Sequence, residues 1–195
     1  MTKMPAAIDI RPLTPQRLPD FLDFFEQRAF TDNPRWASCY CHFPHADHAT
    51  IAWKDRSAAQ NRAATCERIA AETMTGWLAY ADALAVGWCN AGPRRFIEGL
   101  FDAPEPLADR IGAIACFVIA PAFRGQRIAT ALLAAACEGL RERGFEWAEA
   151  YPHPDAPGAA ERGPLAMYRA AGFGIVKREA EGTLTVRKRL NPRPL

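Results

Sequence analysis

A chain of 195 residues is long enough to fold as one domain around a real core. With 49% hydrophobic and 24% charged residues it has the balance of a soluble globular protein, which excludes disorder, collagen-like repeats and low-complexity scaffolds. A net charge of +2 leaves no large field, so small ligands suit the chain better than a non-specific grip on nucleic acid or an anionic membrane.

Ile8-Asp9-Ile10-Arg11 alternates apolar and polar residues and is stopped by Pro12, which predicts a short first strand. Thr14 stands as an N-cap before Pro15. Phe21, Leu22, Phe24, Phe25 and Ala29 then share one helical face, with Pro19 delaying regular turns until Leu18 or later. From Thr31 to Lys54 the pattern is lost to Asn33-Pro34, Trp36, paired Cys, several His and Pro44, an irregular length of the kind that tends to carry function. Ser57-Ala58-Ala59-Gln60 reads as a capping box opening an Ala-rich helix to Glu72. Gly76 to Tyr80 and Ala83 to Cys89 read as a hairpin turning at Ala81-Asp82, with Gly92-Pro93 ending the second strand.

Ile111 to Ile119 is a near-continuous apolar run bounded by Pro121, as expected of a central strand buried on both faces. Ile128, Leu132, Ala136 and Leu140 repeat every four residues, Arg141 and Arg143 close the helix, and Gly144 sits where a left-handed cap belongs. Phe145 to Tyr151 predicts a strand. Pro164 opens a short helix, Leu165 to Ala171, closed by Gly172, and Phe173 to Val176 and Thr183 to Arg187 give two final strands. The order predicts an α/β (α+β) fold, a sheet with helices on its faces.

The longest uncharged run, Ile111 to Phe123, falls well short of the ~18 apolar residues of a membrane span. Met1 to Asp20 lacks the apolar stretch of a secretory signal. A single cytoplasmic domain over 1–195 is therefore expected, with Cys39, Cys41, Cys66, Cys89, Cys116 and Cys137 reduced.

Pro121 to Thr130 joins the buried strand directly to the best helix. A helix N-terminus carries unpaired N–H groups and about half a positive charge, so a small-residue turn leading into it suits phosphate oxygens. Gly125 permits positive φ, Ala129 lets a ligand approach the backbone, and Arg124 and Arg127 add positive charge. The same residues also read as a plain turn with solvated arginines.

Strand, Arg124-Gly125-Gln126-Arg127-Ile128-Ala129, long helix, strand and then Tyr168-Arg169-Ala170-Ala171-Gly172-Phe173 resembles the GNAT superfamily of acyl-CoA-dependent N-acetyltransferases over nearly the whole chain. The first motif is similar to that family's pyrophosphate loop, Gln/Arg-x-x-Gly-x-Gly/Ala, and the second to its Tyr-x-x-x-Gly-Phe element. The resemblance implies the GNAT acyl-CoA N-acyltransferase fold, a central mixed twisted β-sheet flanked by helices. It implies acetyl-CoA as co-substrate, held by the strand amides around Phe117, Val118 and Ile119 and by Arg124, Gly125, Gln126, Arg127, Ile128, Ala129 and Thr130. It further implies direct attack of a neutral primary amine on the thioester without an acyl-enzyme, Tyr168 protonating the leaving CoA sulfur. The plainer reading of Tyr168 is a half-buried helix residue with its hydroxyl in water.

The chain departs from the family at three places. Arg127 replaces the middle glycine of the loop. Right-handed helical dihedrals at the helix start would suit it there, its guanidinium pairing with a phosphate, while loss of cofactor binding is the opposing reading. Ile111 to Ile119 has no carboxylate, so the general base falls to Glu149, His153, Glu98 or a water relay. Tyr151-Pro152-His153-Pro154-Asp155 stands where the family often has an Asn.

Cys39-Tyr40-Cys41-His42-Phe43-Pro44-His45-Ala46-Asp47-His48 offers zinc-type ligands, but the two Cys are too close in sequence for the usual zinc pair and no second pair follows. The metal-free reading is a loop walling the acceptor pocket, with Trp36, Tyr40, Phe43 and Trp53 as an aromatic wall and the histidines as its rim; packing residues beneath a long loop fit equally. The function expected is transfer of an acetyl group to a small-molecule primary amine, with a non-catalytic acyl-CoA sensor or partner-binding module on the same fold as the alternative. Family habit adds a homodimer.

Overall fold

The computed structural model describes residues 7–100, 105–153, 161–178 and 182–190. Strand β1 (Ile8–Pro12) leads through a single 3-10 turn into α1 (Leu18–Gln27), which carries Pro19 in its first turn, where the missing N–H costs nothing. Irregular segments with short 3-10 turns separate α1 from α2 (Ala58–Ala70). The capping box is present in full: Gln60 N–H donates to Ser57 Oγ, and Ser57 N–H donates to Gln60 Oε1 at 2.8 Å. The hairpin pairs β2 (Gly76–Ala81) with β3 (Leu84–Pro93), and its turn is Asp82-Ala83, one residue beyond the expected one, because Asp82 adopts the left-handed conformation at φ 56°.

Next come β4 (Ile111–Ile119), α3 (Ile128–Glu142), β5 (Trp147–Ala150), α4 (Leu165–Ala170), β6 (Gly174–Arg178) and β7 (Leu184–Arg189). They complete a sheet of order β1-β2-β3-β4-β5-β7-β6, with β4 at its centre. Among the described residues only β4 and β5 pair in parallel; every other neighbour is antiparallel. The apolar run of β4 reflects this central position, since α3 packs on one face and Ile97 and Tyr151 pack against Ala113 and Ala115 on the other.

α3 buries Ile128, Leu132, Leu133, Ala136, Cys137 and Leu140 as one stripe, the four-residue spacing plus its flank. It rides so close that a Cβ on Gly139 would stand 2.2 Å from the Trp77 ring, so only glycine fits. α1 buries Phe21, Phe24 and Phe25, with Phe21 edge-on to Trp88 of β3 at 5.1 Å. All six cysteines are free thiols. Among the described residues no helix is long and apolar enough to cross a membrane.

Candidate active site

The site begins where two strands part. β4 pairs with β5 only from Ile111 to Ile114, opposite Trp147 to Ala150, and β5 then ends while β4 runs on to Ile119. A cavity of about 1060 Å³ opens there. One wall is Ala115 to Ile119; a second is the loop and first turn of α3, including Arg124, Gly125, Arg127, Ile128, Ala129 and Thr130. Trp36, Phe43 and Trp53 stand on the far side, Phe43 edge-on to Trp53 at 5.0 Å.

The loop is shaped by two residues in the left-handed region, Gly125 at φ 77° and Arg127 at φ 61°, ψ 18°. Alternation of this kind turns successive N–H groups to one side and makes an anion-binding concavity. A Cβ on Gly125 would meet nothing within 4 Å, so glycine is there for its φ and not for space. Arg127 overturns the expectation of right-handed dihedrals. It is the cap residue before α3, not its first turn, so it holds the conformation for which the family uses glycine, and it does so without a side-chain capping bond. The Arg124 guanidinium pairs with Asp32 and donates from Nε to Ile119 O at 3.2 Å, tying the loop to the segment after α1. That pairing holds the Asp32 carboxyl below its usual range. Gln126 is absent from the cavity wall; its amide donates back to Ala122 O at 3.3 Å.

Several expected residues are placed differently. The Phe117 N–H faces the opened side of β4 but donates to Glu161 O at 2.6 Å. Val118 lies opposite Trp88, and strand alternation turns its N–H toward β3, away from the cavity. Tyr168 is fully buried, its hydroxyl donating to Arg162 O at 2.7 Å and not to water, with its ring against Phe117 and Phe173. Burial pushes its phenol well above the ordinary range, so it stays protonated. Residues 161 and 162 thus occupy both the amide and the hydroxyl that the family resemblance assigns to the acyl donor.

Glu149 is not a free base. Its carboxylate is 1% exposed and accepts from Arg94 Nε at 3.0 Å, from Tyr151 Oη at 2.5 Å and from Arg187 Nε. Arg187 reaches on to Glu105 at 2.6 Å. A carboxylate with these partners ties β5 to β7 and to the turn after β3, and it is outside the cavity lining. His153 lies against Gly182, whose added Cβ would stand 3.1 Å from its Nε2, and is outside the cavity lining. The Glu98 side chain, like Asp155, lies outside the described residues.

Tyr40 is also off the aromatic wall: its ring stacks on Phe25 at 6.2 Å and its hydroxyl donates to Glu26. Phe25 and Phe30 from the end of α1 complete the wall instead. Sequence reasoning placed Phe25 on the apolar face of α1 and had no signal for Phe30, which follows the helix. It missed Asp32 and Glu161 as well, which line the cavity with no local motif to mark them. Among the described residues no group of three or more His, Cys, Asp or Glu is arranged to hold a metal ion.

Comparison with known proteins agrees with this layout. Residues 23–173 match the model of the Acetyltransferase (GNAT) family. Among solved structures, the chain is similar to the PaiA N-acetyltransferase of Thermoplasma acidophilum in complex with coenzyme A, with 14% identity, TM-score 0.56, and 94% of this chain and 99% of that one covered. It is similar to a ribosomal-protein-alanine N-acetyltransferase of Brucella melitensis at 19% identity and TM-score 0.59, covering 93% and 99%. It is also similar to YncA, a putative acetyltransferase of Salmonella typhimurium with its cofactor acetyl-CoA, at 11% identity and TM-score 0.56, covering 95% of each. No curated protein matches in sequence. The parted central strands, the left-handed loop before α3 and the family match over residues 23–173 together establish that this chain belongs to the GNAT acetyltransferase family.

Proposed function

We propose that the protein transfers an acetyl group from acetyl-CoA to the primary amine of a small molecule in the cytoplasm. The observation that carries the reading is one cavity shared by the opened edge of β4, the anion-binding loop before α3 and an aromatic wall. The residues fit the co-substrate. The left-handed loop with Arg124 and Arg127 suits a pyrophosphate, and Ile119, two residues along the strand from Phe117, turns its N–H to the same opened side. A volume at the upper end of small-ligand sites leaves room for an acceptor beside the thioester.

In this reading the neutral amine attacks the thioester carbonyl and the C–S bond breaks. Tyr168, kept protonated by burial, supplies the proton to the leaving sulfur after its hydroxyl is released from Arg162 O. The near-neutral chain and apolar wall favour a small acceptor over a polycation.

A second reading is favoured by the Glu161 and Arg162 contacts: an acyl-CoA-binding module in which Phe117 N–H and Tyr168 Oη stay satisfied internally and no turnover occurs. Amine-dependent release of CoA thiol separates the two. Tyr168→Phe should lower kcat by about 10²-fold, the low end of general-acid contributions, with CoA affinity nearly unchanged. Tight CoA binding with no release for any primary amine would support the second reading.

A further inference from the structure

Three thiols, Cys39, Cys41 and Cys116, line the cavity, and the proposed acetyl transfer uses none of them. The network around Cys41 fixes which sulfur accepts. His45 Nδ1 lies 2.6 Å from Phe96 O, and a carbonyl only accepts, so Nδ1 carries the proton. Burial pushes His45 down to about 4, so the ring is neutral near pH 7 and its Nε2 must accept. Its neighbour at 2.9 Å is therefore the Asn90 amide NH₂ and not its oxygen, and that same nitrogen lies 3.3 Å from Cys41 Sγ. The donor on the Cys41 sulfur cannot be reversed. An N–H fixed on a sulfur favours the thiolate.

Asn90 stands at a bulge in β3, directly opposite Cys116 of β4. Directly opposed residues have Cβ atoms about 5 Å apart, so Cys116 sits beside Asn90, whose amide nitrogen is 3.3 Å from the Cys41 sulfur, and both cysteines line the same cavity. The backbone is held unusually as well. Tyr40 and Cys41 are consecutive non-glycine residues at φ 46° and 52°, and their neighbourhood is pinned by His42 N–H on Cys39 O at 2.8 Å and Thr65 Oγ1 on Tyr40 O at 3.2 Å. Such strain persists where surrounding structure imposes it, and it clusters at functional sites.

We propose that Cys41 and Cys116 are a peroxide-oxidisable pair, Cys41 attacking and Cys116 resolving, that closes a disulfide across the floor of the acceptor cavity. The Cys41 thiolate attacks one oxygen of hydrogen peroxide, an S–O bond forms, the O–O bond breaks and hydroxide leaves. The sulfur is oxidised to sulfenic acid and the peroxide is reduced. The Cys116 sulfur then attacks the sulfenic sulfur, the S–O bond breaks, and the departing hydroxide takes the Cys116 proton as water. Overall, two thiols and one peroxide give one disulfide and two waters. The bond ties the segment after α1 to the middle of β4, so the oxidised protein loses acceptor access until a thiol reduces it.

Chemical oxidation of the full chain with hydrogen peroxide, followed by peptide mapping, tests the pair. The expected product is a Cys41–Cys116 linked peptide that dithiothreitol reverses. Asn90→Ala should slow linkage roughly tenfold, the size of one hydrogen bond to a charged group. Cys116→Ser should stop at a sulfenic acid on Cys41 that dimedone traps, while Cys66→Ser should still form the link. A link from Cys41 to Cys39 or Cys89, no link under peroxide that oxidises a free cysteine peptide, or the same link at the same rate in urea would overturn the proposal. The wild-type map needs no variant to fold. It is also independent of CoA binding by the reduced protein, so failure here is distinguishable from failure of the acetyltransferase reading.

Discussion

Replacing Arg127 separates two effects that the loop superimposes. At φ 61° a residue with a Cβ is strained by roughly 1–2 kcal/mol relative to glycine. Glycine loses more chain entropy on folding, which offsets roughly 0.5–1 kcal/mol of that. Arg127→Gly should therefore stabilise the ligand-free protein by about 0.5–1 kcal/mol, a rise in Tm of roughly 1–4 °C for a chain of this size. The guanidinium is exposed at the mouth of the anion-binding loop, so solvent screening reduces a charge-assisted phosphate contact to about a tenfold effect on CoA affinity. Arg127→Ala keeps the strain and loses the charge: its ligand-free Tm should stay near that of the wild type while CoA binding weakens by the same factor. Thermal unfolding without ligand and calorimetric titration with CoA at low and high salt read the two effects separately. A glycine variant that melts no higher than the wild type would refute the strain argument. Wild-type CoA affinity in both variants would refute the phosphate contact.

Glu149→Gln should destabilise the fold by about 3–5 kcal/mol in urea titration, because Arg94 and Arg187 are left around an uncharged partner in a buried site; a change below about 1 kcal/mol would show that the network is not structurally required. His45 gives a pH dependence with a definite sign. Burial holds it at about 4, below its unfolded value of about 6.5, so its contribution is complete above pH 6.5 and is lost as pH falls toward 4. Linkage puts the loss at about 2 kcal/mol by pH 5, read as a fall in urea midpoint that a non-ionisable residue at position 45 should reduce, leaving the share of His42, which burial likewise pushes down to about 4. Unchanged midpoints between pH 7 and pH 5 would contradict the buried neutral ring.

The frame of the molecule is written in short-range patterns. A short apolar run bounded by Pro121 suits a strand covered on both faces, and Ile111–Ile119 is found at the sheet centre with those ends. The four-residue spacing of Ile128 to Leu140 and the Ser57–Gln60 box are likewise local and decisive. What escaped was set by contacts between distant residues. Glu149 looks like a strand carboxylate until Arg94, in the turn after β3, and Arg187 of β7 are seen to enclose it. Tyr40 belongs by composition to an aromatic wall, yet the left-handed turn at Tyr40-Cys41 places its ring on Phe25 and brings Cys41 to Asn90. Arg127 was placed one step too far into the helix, and that step decides the sign of its φ.

Thermal unfolding with and without saturating acetyl-CoA tests the central claim, that the opening beside β4 and the loop before α3 form an acyl-CoA site. Ligand at about 100 times its Kd adds roughly 2.7 kcal/mol. For a domain of this size that raises Tm by roughly 5–11 °C, and the site assignment predicts a rise in that range. An unchanged Tm at saturating acetyl-CoA would contradict it.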